Sequence, residues 1–368
     1  MNIRKIGSFE AIALVCIVIT NQILLNIPET IIQQSGSSAW INVIFISIVA
    51  ITFTVIVCKL FERFTGKDIL DVSEYVGGST LKFIIGFVYI VIIILISATL
   101  LGYFSESLKI IYFHNTPSIL IISIFLTAAI LANHAGTKAI SNINTIILPI
   151  GLIAMLIIFI STIKNFEYER LFPIFGYGIN STFYTGMSNI FSYGGIAFLY
   201  FLMPFLKNYN EFKKVSIISI IISSIYLLMS VISMLLVFSY VSSSDQTIAI
   251  YSLTRTIEYG RFFQRIDAIF ILIWILLVMS CISILISLGI NIFKKITNIG
   301  NSKELIFPFA IFIFSISLLI NNVSIGRYIY EVVFKYFELV LVFGISFIIL
   351  IIGNIKSKQR KSEAANHE

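Results

Sequence analysis

The sequence predicts an all-α polytopic membrane protein of ten transmembrane helices, arranged as two inverted five-helix repeats with helices 1 and 6 broken. Three observations carry this. The 368 residues are 58% hydrophobic and only 12% charged, with a mean hydropathy of +1.00, whereas soluble domains hold about 45–50% apolar and about 25% charged residues. Apolar runs recur along the whole chain at lengths near the roughly 20 residues that cross a bilayer. Two of those runs, five spans apart, carry matching interruptions followed by a proline. A cytosolic enzyme, a nucleic-acid binder and a secreted disulfide scaffold are excluded by the first observation. The net charge of +7 reflects basic loops rather than nucleic-acid binding. Cys16, Cys58 and Cys281 sit inside apolar runs without CxxC spacing and read as small hydrophobes.

In chain order the spans fall near 9–32, 38–59, 82–104, 117–133, 141–163, 184–206, 215–242, 266–291, 305–322 and 331–354. They form one membrane domain over 1–355, with repeat one at about 9–163 and repeat two at about 184–354. Arg4 and Lys5 precede the first run, but no small-residue cleavage site follows, so it reads as an uncleaved helix. With the N-terminus inside, 17 of the 25 basic residues face the cytoplasm and 8 face outward, which favours cytoplasmic termini at both ends. The tail 356–368 is polar and is expected to be disordered. The 66–80 loop mixes Ile69, Leu70, Val72 and Tyr75 with Asp68, Asp71 and Glu74, the pattern of an interfacial helix. The 245–263 loop has the mixed character of short helices over an outer vestibule.

A spanning backbone must satisfy its own hydrogen bonds, so interruptions at mid-depth need a cause. Span 1 contains Thr20, Asn21 and Gln22 and then Pro28; span 6 contains Ser192, Tyr193, Gly194 and Gly195 and then Pro204. The prolines lie 176 positions apart, close to half the chain. Paired interrupted helices in two halves point to a binding site at the repeat interface. The alternative for the same residues is helix packing, with Asn21 and Gln22 bonding a neighbour and Gly194-Gly195 allowing close approach. Both spans are expected to break, near Thr20–Gln22 and Ser192–Gly195, with the breaks facing each other.

The chain resembles the B subunits of bacterial spore germination receptors, a branch of the amino acid/polyamine/organocation (APC) superfamily. The motifs run over roughly residues 5–355. They are Gly7-Ser8-Phe9-Glu10 with Leu25-Asn26-Ile27-Pro28; Trp40; Phe64-Thr65-Gly66-Lys67; Leu171-Phe172-Pro173; Phe201-Leu202-Met203-Pro204; and Gln264-Arg265-Ile266-Asp267 followed by Trp274. The resemblance implies a LeuT-like fold in the spore inner membrane. It also implies a small nutrient ligand and partnership with receptor A and C subunits. A ligand between spans 1, 3, 6 and 8 would also be flanked by Ser97, Thr99 and Tyr103 of span 3 and by Trp274 and Ser280 of span 8. The other function considered is an amino-acid or amine transporter using the same site.

Charged residues deep in a membrane tend to be functional. Arg265 and Asp267 open span 8 on different helix faces and are expected to anchor other segments. Glu331, Lys335 and Glu338 share one face of span 10 by i,i+4 and i,i+3 spacing. They either neutralise one another towards the bundle or snorkel to the interface. No HExxH, GxxxxGK[ST] or Ser/His/Asp set is present, so neither catalysis nor a cofactor is expected. The cavity is expected to hold no charged side chain at its own depth. That favours a small neutral amino acid or similar zwitterion, its carboxylate at a half-helix N-terminus.

Overall fold

The computed structural model describes residues 5–25, 27–244, 248–257, 266–299, 303–320, 323–329 and 335–365. Among them all regular structure is helical. Span 1 comprises α1 (Ser8–Leu25) and α2 (Ile27–Ser35), span 2 is α3 (Ala39–Phe61), and span 3 is the second part of α4 (Ile69–Ile111). Spans 4 and 5 are α5 (Ser118–Ala135) and α6 (Thr137–Thr162). Span 6 lies within Asn180–Phe205 and is mostly 3-10 and π helix, with one short α segment, α7 (Leu199–Leu202). Span 7 is α8 (Tyr209–Val237). Two short helices, α9 (Tyr240–Ser244) and α10 (Ala249–Arg255), then lead towards span 8, α11 (Ile266–Thr297). The segment predicted as span 9 is α12 (Ile306–Ser317), followed by the short α13 (Val323–Tyr328). Span 10 runs through α14 (Lys335–Glu338), a π-helical stretch at Leu339–Ile345, and α15 (Ser346–Ala365).

Among the described residues eight helices are long and apolar enough to cross a membrane, and Ser8–Leu24 is a shorter apolar helix. The 12 residues of α12 rise only about 18 Å, less than the roughly 30 Å hydrocarbon core. Side chains on the outer faces, such as Ile124, Leu131, Ile146, Leu272 and Phe307, are apolar and exposed, as a lipid-facing belt requires. The inward faces bury Tyr103, Tyr193, Tyr200, Phe212 and Trp274. This is an integral membrane protein with an apolar exterior.

The predicted interfacial helix is the first part of α4. Asp68 caps it, accepting from the Leu70 and Asp71 backbone N–H groups at 3.0 and 3.1 Å, while Asp71 accepts from the Asp68 N–H at 3.0 Å. The helix turns into span 3 at Gly77-Gly78, where Gly78 takes φ +73°, a left-handed conformation suited to glycine. Lys295, near the end of α11, pairs with Asp68 and Asp71 at 2.7 and 2.6 Å and ties span 8 to this turn. On the same end of the bundle, Lys5 donates to the Pro204 and Leu206 carbonyls at 2.8 Å, binding the chain start to the end of span 6. Lys138 of α6 pairs with Glu10 of α1. α15 continues as helix to Ala365, past residue 356 where the sequence predicts a polar tail to begin. Lys356 caps the Tyr75 and Val76 carbonyls at 3.2 Å, and Arg360 lies 4.9 Å from the Tyr75 ring centre, so this polar extension has partners.

Candidate functional site: a cavity where spans 1, 6 and 10 meet

The first correction concerns span 1. α1 is helical without interruption through Thr20, Asn21 and Gln22. The reason is local satisfaction: the Thr20 hydroxyl donates to the Cys16 carbonyl at 2.8 Å, and the Asn21 amide donates to the Ile17 carbonyl at 2.9 Å. Side chains that bond carbonyls of the preceding turn leave the backbone ladder intact. The Asn21 amide also donates to the Leu277 carbonyl of α11 at 2.9 Å, which pins span 1 to span 8. Residue 26, between α1 and α2, lies outside the described residues.

Span 6 does depart from α geometry where the sequence predicts. A π turn at Asn180–Tyr184 passes into 3-10 helix at Thr185–Phe198, and Tyr193 takes non-helical angles (φ −102°, ψ 21°). The Tyr193 hydroxyl lies 2.6 Å from the Ser47 hydroxyl and donates to Ser224 Oγ at 2.9 Å, fixing the irregular point to spans 2 and 7. Gly195 lets span 6 approach span 1: a Cβ there would lie 3.3 Å from the Ile19 backbone nitrogen. Gly194 serves a different neighbour, because a Cβ there would overlap the Glu338 carboxyl of span 10.

Glu338 is the second correction, since a charged side chain does reach the cavity. It is 3% exposed, and its Oε1 accepts from the Gln22 amide at 2.8 Å. Its snorkelling alternative is excluded, because span 10 turns from α to π helix immediately after it and aims the carboxyl at Gly194. π-helical turns in membrane helices often mark functional sites. Lys335 lies with its ammonium 5.3 Å from the Phe191 ring centre.

Gln22, Gly194, Gly195 and Glu338 line a narrow cavity of about 40 Å³, completed by apolar side chains such as Ile92 and Phe198. That volume holds about two water molecules. Phe201 and Leu288 line this cavity and also a vestibule of about 890 Å³ bordered by Asp68, Lys82, Asn291, Lys294 and Lys295. These two side chains form the partition between them. The Phe201 ring packs edge-on against Tyr89 at 4.7 Å, and Tyr89 shares a 2.6 Å hydrogen bond with Ser346 of α15.

The other predicted ligand-binding residues are buried but do not line this cavity. Thr20 and Ser97 bond carbonyls of their own helices, and Ser192 bonds the Asn189 carbonyl one turn back. Tyr103 packs beside Gly326 of α13, while Thr99 and Ser280 are buried between helices. Trp274 is edge-on to Phe104 at 4.8 Å and borders a separate small void with Leu24 and Tyr226. Pro28 is buried in the first turn of α2, and Pro204 lies in the 3-10 turn that closes span 6. Arg265 lies outside the described residues. Asp267 accepts from the Tyr112 hydroxyl at 2.8 Å, which joins span 8 to the end of span 3. Glu338 belongs with Gln22 although 316 positions separate them. The sequence shows Glu338 as a membrane-embedded acid of span 10, but not its contact with Gln22.

The architecture is that of the LeuT-type transporters. The structure superposes on a Na+-coupled sialic acid symporter in its substrate-bound outward-open state with a TM-score of 0.69, at 13% identity, covering 96% of this chain and 90% of that one. It superposes on MhsT in complex with L-phenylalanine at 0.69, with 12% identity and coverage of 96% and 88%. Mhp1, a nucleobase-cation-symport-1 family transporter, gives 0.66 at 14% identity, with coverage of 95% and 78%. Such identities speak for the fold alone.

The chain itself belongs to the spore germination protein family, whose sequence model matches residues 5–325. Among its relatives, spore germination protein B2 of Bacillus subtilis (strain 168) is 22% identical over 255 residues, 68% of each chain. Spore germination protein YndE of the same strain is 26% identical over 293 residues, 76% of this chain and 80% of its own. GerQB of Bacillus cereus is 23% identical over 293 residues, 78% of this chain and 79% of its own. These relatives are germination proteins and the structural neighbours are transporters; neither group consists of enzymes.

Proposed function

We propose that this chain is the nutrient-binding subunit of a spore germination receptor. It holds a small neutral amino acid or similar zwitterion in the central cavity and acts with A- and C-type partner subunits in the spore inner membrane. The convergence of Gln22, Gly194 and Glu338 on one buried cavity is the observation that carries this reading. The cavity of about 40 Å³ must widen to admit such a ligand. Ligand therefore favours a wider conformer over this one, and that differential affinity is what a partner subunit can read. The Phe201–Leu288 partition is the element whose position would change. The 17:8 distribution of basic residues supports cytoplasmic termini.

The test is Gly194→Leu, which fills the cavity beside Glu338. Spores carrying it are expected to lose their germination response to amino acids while accumulating the protein normally. An unchanged response would move the site elsewhere. The vestibule of about 890 Å³ beside the partition favours a second reading, a transporter of amino acids or amines through the same cavity. Uptake of radiolabelled amino acid into proteoliposomes holding this chain alone would select that reading. Co-purification with the A and C partners, without uptake, would select the receptor.

A further inference from the structure

The lining of the central cavity is unbalanced in its hydrogen-bonding groups. Gln22 donates its amide to Glu338 Oε1, which leaves Gln22 Oε1 and Glu338 Oε2 buried with no partner among the described residues. Both are acceptors. Tyr89, the other polar side chain of the lining, is already engaged with Ser346. The remaining lining side chains are apolar. A buried acceptor left unpaired costs about 1–3 kcal/mol, and a buried carboxylate without a counter-charge costs more.

From this we infer that the central cavity recognises an ammonium group, held between Glu338 Oε2 and Gln22 Oε1, and that the Gln22 amide is its resident stand-in when the site is empty. The inference rests on the central cavity being the ligand site. An ammonium brings three donors and no acceptor, which matches these two oxygens, and it supplies a counter-charge to Glu338, which has no ion-pair partner among the described residues. A carboxylate or phosphate would meet acceptors only. Gly194 is part of the device, because any side chain there would push the carboxyl out of the cavity. Span 10 contributes the acid, span 1 the amide and span 6 the opening between them. An incoming ammonium therefore contacts three spans at once and competes for the contact that now joins spans 1 and 10. The ammonium can belong to a zwitterionic amino acid or to a simple amine, and the two leave different net charge in the cavity.

The test is calorimetric titration of the full chain in lipid nanodiscs with L-alanine, its decarboxylated counterpart ethylamine and L-lactate, which carries a hydroxyl in place of the amine. L-alanine or ethylamine is expected to bind at least tenfold tighter than L-lactate. Preference for L-alanine assigns the site to amino acids, and preference for ethylamine assigns it to amines. L-lactate binding within threefold of both would overturn the inference without needing any variant. Glu338→Gln keeps the shape and removes the charge, and it is expected to weaken the amine-bearing probes at least tenfold. Glu338→Asp should recover part of that loss. Full binding by Glu338→Gln, in a protein that Gly194→Leu silences, would defeat ammonium recognition and leave the cavity as the ligand site. Unaltered binding by both variants would defeat the cavity reading as well.

Discussion

Spans 1 and 6 carry matching interruptions in sequence and respond to them in opposite ways. Span 1 places three consecutive polar residues at mid-depth and stays helical through Leu25. Span 6 places a glycine pair at mid-depth and gives up α geometry over Thr185–Phe198. In span 1 Thr20 and Asn21 return to carbonyls of the preceding turn, so the ladder survives, and only the Gln22 amide reaches out to Glu338. In span 6 the departure is held by tertiary partners: Tyr193 bonds Ser47 and Ser224, Gly195 abuts Ile19, and Gly194 abuts Glu338. A polar cluster inside a membrane helix therefore reports what the helix bonds to. A glycine pair reports what approaches it.

If that distinction holds, substitutions in span 6 cost more than substitutions in span 1. Gly195→Leu should have the largest effect, because it drives a side chain into the Ile19 backbone; overpacking costs about 1–3 kcal/mol or more. Loss of a monodisperse peak in fluorescence-detected chromatography is the expected readout, and a normal peak would break the close-approach argument. Tyr193→Phe removes both hydroxyl contacts at the irregular point and should destabilise by about 1–2 kcal/mol. Thermal unfolding in detergent would register it as a lowered midpoint.

Asn21→Leu removes the link to the Leu277 carbonyl but also removes a buried acceptor, the Asn21 Oδ1, that has no partner among the described residues. Its net cost should be smaller, about 1 kcal/mol. A cost above that of Tyr193→Phe would reverse the ranking of the two spans. Thr20→Val should be nearly silent, within about 0.5 kcal/mol, because the hydroxyl serves only its own helix. A large loss there would mean that Thr20 has a role in ligand response rather than in packing.

The membrane class, most of the long apolar helices, the helix in the 66–80 loop and the irregular sixth span were legible because each follows from local composition or from spacing within one segment. Gln22, Gly194 and Gly195 stood out for the same reason, each against its own apolar run, and they are the predicted ligand-binding residues that line the cavity. Glu338 was visible as a membrane-embedded acid, yet its i,i+3 spacing from Lys335 suggested partners on its own helix face. Its contact is with Gln22, 316 residues away, and nothing in one chain's periodicity connects those positions.

Sequence alone determined that this protein lies in a bilayer as a bundle of apolar helices, because hydrophobic burial and backbone satisfaction act on each span separately. Only the tertiary structure decided which polar groups are consumed by packing and which remain available. Thr20, the Asn21 amide N–H groups, Ser192 and Tyr193 are spent on carbonyls and hydroxyls of neighbouring turns and spans. Gln22 Oε1 and Glu338 Oε2 are left over, without a partner among the described residues. Whether a buried polar atom is satisfied depends on atoms contributed by other helices, and their arrangement exists only once the bundle has assembled.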